Sequence, residues 1–316
     1  MTSEPIQLSI IIPIHNEETI IPLLWDRLQA VLPRSFRSYE IIAVDDGSQD
    51  QSLTVLQNFL CSTSHLKIVE LDKNYGQHPA LCAGFSVARG QYLVTMDADL
   101  QVDPEEIPRI VEPLRQGADF VSGIRQGIGD SVFKRRLPSK IVSRALQYIT
   151  GKRLMDFGCP FNAFHKRVVD RFPEYGSMQR FLKPLAVRVA QHIAEVRVGF
   201  QPRVCGHSKY SLLSLVDLFF DFVTNFSKHL FQRLIIIGFV FFLSSMAITC
   251  AYLLCRFALC IIDPMPRLLA FCIILMIFST QLSVLGILGE FVIRIYRNMQ
   301  SRPLFTIRKI WTADHR

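Results

Sequence analysis

Short apolar runs alternate with amphipathic stretches through the first third of the chain. Leu8–Ile12 (LSIII), Tyr39–Val44 (YEIIAV), Leu66–Leu71 and Tyr92–Met96 read as buried strands. Between them, helical periodicity predicts helices over about Glu18–Val31, about Gln51–Cys61, and from Pro79 to the Gly90 stop. A further short strand is expected at Phe120–Ser122 and a helix from about Lys166. The alternation predicts an α/β fold with a doubly wound, mostly parallel sheet, whose ligands sit beyond the carboxyl ends of the strands. No G-x-G-x-x-G follows the first strand, which disfavours a dinucleotide fold.

The pattern changes after residue 211. Leu212–Leu230 is mostly apolar and carries a polar stripe of Ser214, Asp217, Asp221, Asn225 and Lys228, which steps of three and four place on one helical face. This predicts a helix lying in a membrane interface, with a buried core helix as the alternative. Leu234–Cys255 and Leu268–Gly289 are uncharged runs of 22 residues. Each would reach about 33 Å as a helix, enough to cross a hydrocarbon core. Lys228 and Arg233 flank the first run, and Arg294, Arg297, Arg302, Arg308 and Lys309 follow the second. The positive-inside rule then places both termini and the first domain in the cytoplasm. The expected organisation is the α/β domain over 1–211, a juxtamembrane helix over 212–233, two transmembrane helices over 234–293 and a cytoplasmic basic tail over 294–316.

Composition sharpens this division. Half of the 316 residues are hydrophobic. The first 120 carry 8 Lys+Arg against 17 Asp+Glu, and the remainder 27 against 10. The basic half adjoins the apolar runs and lacks interleaved exposed aromatics, so it fits membrane lipid or a phosphorylated lipid rather than nucleic acid. Lys134, Arg135 and Arg136 cannot share one helical face, so at most one or two of them can line a site. The eight cysteines form no Cys-X-X-Cys pair and read as reduced, mostly buried thiols. The first apolar run follows acid rather than base and is broken by Pro13, unlike a signal peptide.

The candidate chemistry lies at strand ends. In Leu93–Pro104 (LVTMDADLQVDP) an apolar run stops at Asp97 and Asp99. In extended backbone these point the same way, with Gln101 next on that side, and hard oxygen donors of this kind suit a divalent cation. A lone Asp-X-Asp is more often a solvated loop, but the second strand also ends in acid, Asp45-Asp46-Gly47-Ser48. Asp46 could instead cap the next helix, a role for which Ser48 competes. Two acidic strand ends in one sheet favour a metal and nucleotide-sugar site.

The ordered set IIPIHNEE, VDDGSQD, NYGQHPA, MDADLQVDPEEIP, GIRQ and GHSKYS precedes the two apolar runs and a tail reading LGEFVIRIYRNMQSRPLF. Together these resemble the membrane-bound polyprenyl-phosphate glycosyltransferases of glycosyltransferase family 2, over nearly the whole chain. That group spans dolichol-phosphate mannose synthases and bacterial undecaprenyl-phosphate transferases. NYGQH, the DS-x-F-K segment at Asp130 and GHSKYS are most similar to its 4-deoxy-4-formamido-arabinose branch.

The resemblance implies a GT-A fold and a bacterial inner-membrane enzyme. It also implies a nucleotide-sugar donor, with UDP the first candidate, and a polyprenyl phosphate acceptor. Pro13, Glu17 and Asp46 would hold the nucleoside. Asp97, Asp99 and Gln101 would hold Mg or Mn on its diphosphate. Arg125, Lys209 and Arg136 would contact phosphate, and Asp156 would act as a base or bind sugar. The family usually has Tyr at His15, and often Arg and Tyr at Asn162 and Phe164; the latter two bear on donor identity.

A polyprenyl phosphate is already an anionic nucleophile at neutral pH, because its second pKa is about 6. It needs relief from charge repulsion more than a base, and the acid–base division of the chain offers that. In-line attack at the anomeric carbon would invert its configuration. A processive polysaccharide synthase would call for more spans and a Gln-X-X-Arg-Trp motif, which Gln179-Arg180-Phe181 does not match. A non-catalytic membrane scaffold would bind lipid without nucleotide-sugar affinity. Membrane helices often mediate assembly, so a homo-oligomer is compatible, with no number fixed.

Overall fold

The computed structural model describes residues 5–126, 154–201, 230–258, 266–299 and 304–313. The chain divides into two compact units, one formed by Met1–Phe219 with Pro303–Arg316 and one by Phe220–Arg302. The first unit is built on an eight-stranded sheet. Its strands are β1 (Leu8–Ile14), β2 (Tyr39–Asp45), β3 (Leu66–Leu71), β4 (Tyr92–Thr95), β5 (Phe120–Gln126), β6 (Asn162–His165), β7 (Ile193–Gly199) and β8 (Ile307–Thr312). They run in the order β7-β5-β6-β4-β1-β2-β3-β8. The central β4-β1-β2-β3 block is parallel, as is β5 with β7. β6 is antiparallel to both its neighbours and β8 is antiparallel to β3.

The strand period of two sorts the core onto the two faces of the sheet. Leu8, Ile10 and Ile12 of β1 join Ile41 and Ala43 of β2 on one face. Ile11, Ile42 and Val44 point to the other. Helix α1 (Ile21–Ser35) covers the first face with Ile21, Leu24, Trp25, Leu28 and Leu32. On the same face lie Leu56 of α2 (Ser52–Leu60) and Ile107, Ile110, Val111 and Leu114 of α4 (Ile107–Arg115). The second face is covered by α3 (Gln77–Val87) and, beyond the one-turn helix α5 (Lys166–Val169), by α6 (Leu182–Val189).

Helix α1 begins three residues later than its periodicity predicts. The amides of Glu17 and Glu18 are used outside it, donating to Ser52 Oγ (2.8 Å) and Asp50 Oδ2 (3.2 Å), while Asn16 takes a positive φ of 57°. Helix α3 begins at Gln77, ahead of Pro79. A proline in a first turn costs nothing, because that turn has no intrahelical acceptor for its N–H groups.

The second unit holds α7 (Leu230–Ala258) and α8 (Pro266–Met299). Their apolar windows, Phe231–Cys255 and Leu269–Val292, have mean hydropathies of 2.4 and 2.3 and are long enough to cross a membrane. The two helices pack through small residues, with Gly238 against Ser279 and Ser283, Gly286 against Ile235, and Ser245 Oγ donating to the carbonyl of Cys272 (2.6 Å). Large side chains such as Phe239, Phe241, Phe278 and Phe291 face outward, the reverse of a soluble core helix.

Of residues 294–316, read from sequence as a basic tail, the described parts include helix and strand. Helix α8 runs on to Met299, and Ile307–Thr312 adds β8 to the edge of β3. Arg308 pairs with Glu70 (3.2 Å), and Trp311 Nε1 donates to Glu70 Oε2 (3.0 Å). The segment therefore closes an edge that would otherwise expose unpaired backbone. The juxtamembrane helix expected over 212–233 lies almost wholly outside the described residues.

Candidate active site

The exits of β4, β1 and β2 lie side by side at the carboxyl edge of the sheet. Pro13 sits in β1 opposite Val44, at a level where pairing with β4 has ended, so its missing N–H breaks no bond on that side. Beyond it the loops are stitched together. Asn16 N donates to Ser48 Oγ (3.1 Å), Gln49 N to Asn16 Oδ1 (2.8 Å) and Gln51 N to Glu18 Oε2 (2.8 Å).

Asp46 does not cap a helix. Its carboxylate accepts from the backbone amides of Tyr75 (2.7 Å) and Gly76 (2.8 Å), pinning the loop that follows β3. His15 lies between the same two segments. A carbonyl can only accept, so Nδ1 carries the proton donated to the Asp46 carbonyl (2.9 Å), and Nε2 accepts from Asn74 Nδ2 (2.9 Å). Gly47 permits this approach with φ of +64°; a Cβ there would fall 2.5 Å from the Lys73 carbonyl carbon.

Asp97 and Asp99 follow β4 in a turn rather than in the extended backbone predicted from sequence, because the strand ends at Thr95 and Leu100 takes a positive φ of 54°. Both carboxylates are half-buried. Gln77 Nε2 donates to Asp97 Oδ1 (2.5 Å), and Gln101 N to Asp99 Oδ1 (3.2 Å). Gln101 is tied in turn to Gln201, whose N–H donates to its carbonyl (2.8 Å). Among the described residues no three His, Cys, Asp or Glu side chains converge as a complete metal cage. Two carboxylates and a carboxamide nevertheless fit Mg or Mn, ions commonly held by one or two carboxylates and completed by substrate phosphates.

The exit of β5 supplies a different chemistry. Arg125 grips Asp156 in a bidentate pair, Nε to Oδ2 (2.7 Å) and Nη2 to Oδ1 (2.9 Å), and lies over the Phe200 ring. Gly158 N also donates to Asp156 Oδ1 (2.9 Å). Burial alone would raise the Asp156 carboxyl, but Arg125 and then Lys183 outweigh it and hold it below the usual range. Lys183 is 7% exposed, and its Nζ donates to the carbonyls of Asp156 and Cys159. Burial pushes this amine down to about 8. Arg136 and Lys209 lie outside the described residues.

Residues 9–175 match the family model of glycosyl transferase family 2, more than half of the chain. The chain belongs to glycosyltransferase family 2. The undecaprenyl-phosphate 4-deoxy-4-formamido-L-arabinose transferase of Pseudomonas aeruginosa is 38% identical to this glycosyltransferase over 316 residues, covering 99% of this chain and 93% of that protein. A Klebsiella pneumoniae protein of the same name is 35% identical, covering 98% and 95%. Among solved structures, glucosyl-3-phosphoglycerate synthase from Mycobacterium tuberculosis, in complex with Mn2+ and UDP-glucose, superposes with a TM-score of 0.51. It is 19% identical, over 70% of this chain and 79% of that one, and the likeness establishes a GT-A fold.

The glycosyltransferase thus carries acids at the β4 and β2 exits and a restrained Arg–Asp pair at the β5 exit. Asn162 and Phe164, where the family often has Arg and Tyr, are both buried. Phe164 packs edge-on to Phe85 and Phe172, and Asn162 Nδ2 donates to the carbonyls of Cys159 and Pro160. Two residues of the site escape sequence reasoning. Lys183 leaves a faint trace, a cation in the apolar stretch Leu182–Val189, whereas nothing in the sequence singles out the reach of Gln77 to Asp97.

Proposed function

We propose that this glycosyltransferase moves a sugar from a nucleotide sugar, with UDP as the carrier, to undecaprenyl phosphate at the cytoplasmic face of a bacterial inner membrane. The product is a lipid-phosphate-linked monosaccharide for lipid A modification. The observation that carries this reading is the extent of the similarity. It runs over 99% of the chain, through both apolar helices and the segment that becomes β8, to relatives named for the acceptor undecaprenyl phosphate. A polysaccharide synthase or a scaffold would not be expected to share that full arrangement.

The site supports a division of labour. Pro13, Glu17 and Asp46 frame the nucleoside, with Asp46 acting through the loop it pins. Asp97, Asp99 and Gln101 would hold Mg or Mn, whose charge offsets that of the departing diphosphate. Arg125, with Arg136 and Lys209, meets phosphate. The acceptor is anionic without help, so the reaction proceeds by direct attack and inverts the anomeric carbon. Asp156, kept ionised and gripped by Arg125, orients that guanidinium rather than removing a proton. Asp156→Asn is therefore expected to keep measurable transfer, lowered by about tenfold to a hundredfold as Arg125 loses its restraint. A dead but folded variant that still binds both substrates would restore the base.

Two crossings by α7 and α8 would return the chain to the side on which it started, which agrees with β8 belonging to the catalytic unit. Basic flanks place that side in the cytoplasm. The test is transfer of labelled sugar from a panel of UDP-sugars into the organic phase by the full chain in detergent, with undecaprenyl phosphate present or omitted. Label that appears with one donor and only with acceptor supports the reading. Soluble polymer, or lipid binding without any transfer, would replace it with the synthase or the scaffold.

A further inference from the structure

The loop after β3 touches all three neighbouring strand exits within four residues. Asn74 meets His15 beyond β1, Tyr75 and Gly76 are held by Asp46 beyond β2, and Gln77 donates to Asp97 beyond β4. Gly76 makes this path available, because its φ of +95° turns the pinned loop directly into the first residue of α3. An ionised carboxylate only accepts, so the atom of Gln77 that faces Asp97 is its NH2 group, and the contact has one sense.

The contact adds little to the core. Helix α3 is anchored by Ala80, Leu81, Cys82, Ala83, Gly84 and Phe85, whereas Gln77 is only half-buried. Its carboxamide is spent on a carboxylate that would hold the cation. A ligating carboxylate that is itself hydrogen-bonded has fewer orientations to lose when the ion arrives.

We infer that Gln77 is a positioning residue for the cation site: its carboxamide orients Asp97, and the Asp46-pinned loop holds Gln77 where it can do so. The inference rests on the assignment of Asp97 and Asp99 as cation ligands. It makes the nucleoside-side acid Asp46 a structural support of the cation-side acid Asp97, through two residues of backbone.

The test is Mn2+ binding followed by electron paramagnetic resonance in the full chain with UDP present, for wild type, Asp97→Asn, Asp99→Ala and Gln77→Met, which keeps length and removes the donor. Gln77→Met is expected to raise the Mn2+ dissociation constant by about tenfold. It should leave UDP binding without Mn2+ and the thermal midpoint unchanged, and should raise the Mn2+ concentration for half-maximal transfer in parallel. Mn2+ affinity within twofold of wild type in Gln77→Met, while Asp97→Asn loses binding, would overturn the role of Gln77 alone. Wild-type affinity in Asp97→Asn and Asp99→Ala would overturn the cation assignment itself, and the role of Gln77 with it. Failure of both Gln77→Met and Gln77→Leu to fold would make Gln77 part of the fold and overturn the inference as well.

Discussion

Asp45 and Asp119 are buried to similar depth at opposite ends of the same sheet, 2% and 5% exposed, in opposite electrostatic surroundings. Asp119 precedes β5 and is fully matched. It accepts from the amides of Gln191 and His192 (both 2.9 Å) and from Arg167 Nε (2.7 Å). Burial would raise its carboxyl, but those donors outweigh burial and hold it below the usual range. Asp45 ends β2, with its Oδ1 buried and, among the described residues, without a hydrogen-bond partner. Burial pushes its carboxyl up, and Glu70 adds to the push against the bonds from Ser48. Glu40, also at the amino edge, resembles Asp119: it accepts from Ser9 Oγ (2.6 Å), Arg89 N (2.6 Å) and Lys67 Nζ (3.1 Å). The amino edge spends its acids on stability. The carboxyl edge bears one acid at a cost and commits the others to loops around the site, the usual trade between stability and function.

The contrast breaks most visibly at Asp99. Asp99→Ala is expected to abolish transfer, a loss of about a thousandfold or more, while the thermal midpoint stays near that of wild type. Parallel melting and transfer assays decide this. A variant that melts early would move Asp99 to the structural class.

Asp119→Asn should do the reverse, costing about 2 kcal/mol of stability with transfer by the folded protein retained. Its pH signature has a defined sign. The folded carboxyl titrates below its unfolded value of about 3.9, so the stability it contributes is complete above that pH and is lost as pH falls through the folded value. Denaturant midpoints between pH 6 and 3 should fall less steeply in Asp119→Asn than in wild type.

Asp45→Asn should have the smallest effect and the opposite sign, a gain of about 1 kcal/mol at pH 7. With its folded pKa raised, Asp45 holds its proton longer in the folded chain than in the unfolded one. Stability therefore declines as pH rises through the window between the two values, and the cost is complete above the folded value. A stability loss in Asp45→Asn at pH 7 would show that an unseen donor normally satisfies Oδ1.

The parallel centre of this sheet was legible because each strand is a compact apolar run closed by turn residues. Leu66–Leu71 has the predicted bounds, and Asp97 and Asp99 fall beyond β4 as expected. The two apolar helices were legible from length alone. Strand β6 was not, since four residues, Asn162–His165, carry too little period and their antiparallel place between β4 and β5 is fixed only by distant partners. Strand β8 was hidden for a related reason. Its sequence, IRKIWT, breaks alternation at Lys309–Ile310, and its charges find Glu70 only once the chain has folded. At the site, residue type and spacing revealed the acids, but which amide or carboxamide each would hold depended on loops from three strands meeting.

The measurement that bears most directly on the account is transfer of labelled sugar to undecaprenyl phosphate by the wild-type chain before chelation, after chelation, and after Mg or Mn is restored. Chelation is expected to stop transfer, and either ion to restore it. Transfer that continues undiminished in chelator would contradict the assignment of the carboxyl-edge acids as a cation site.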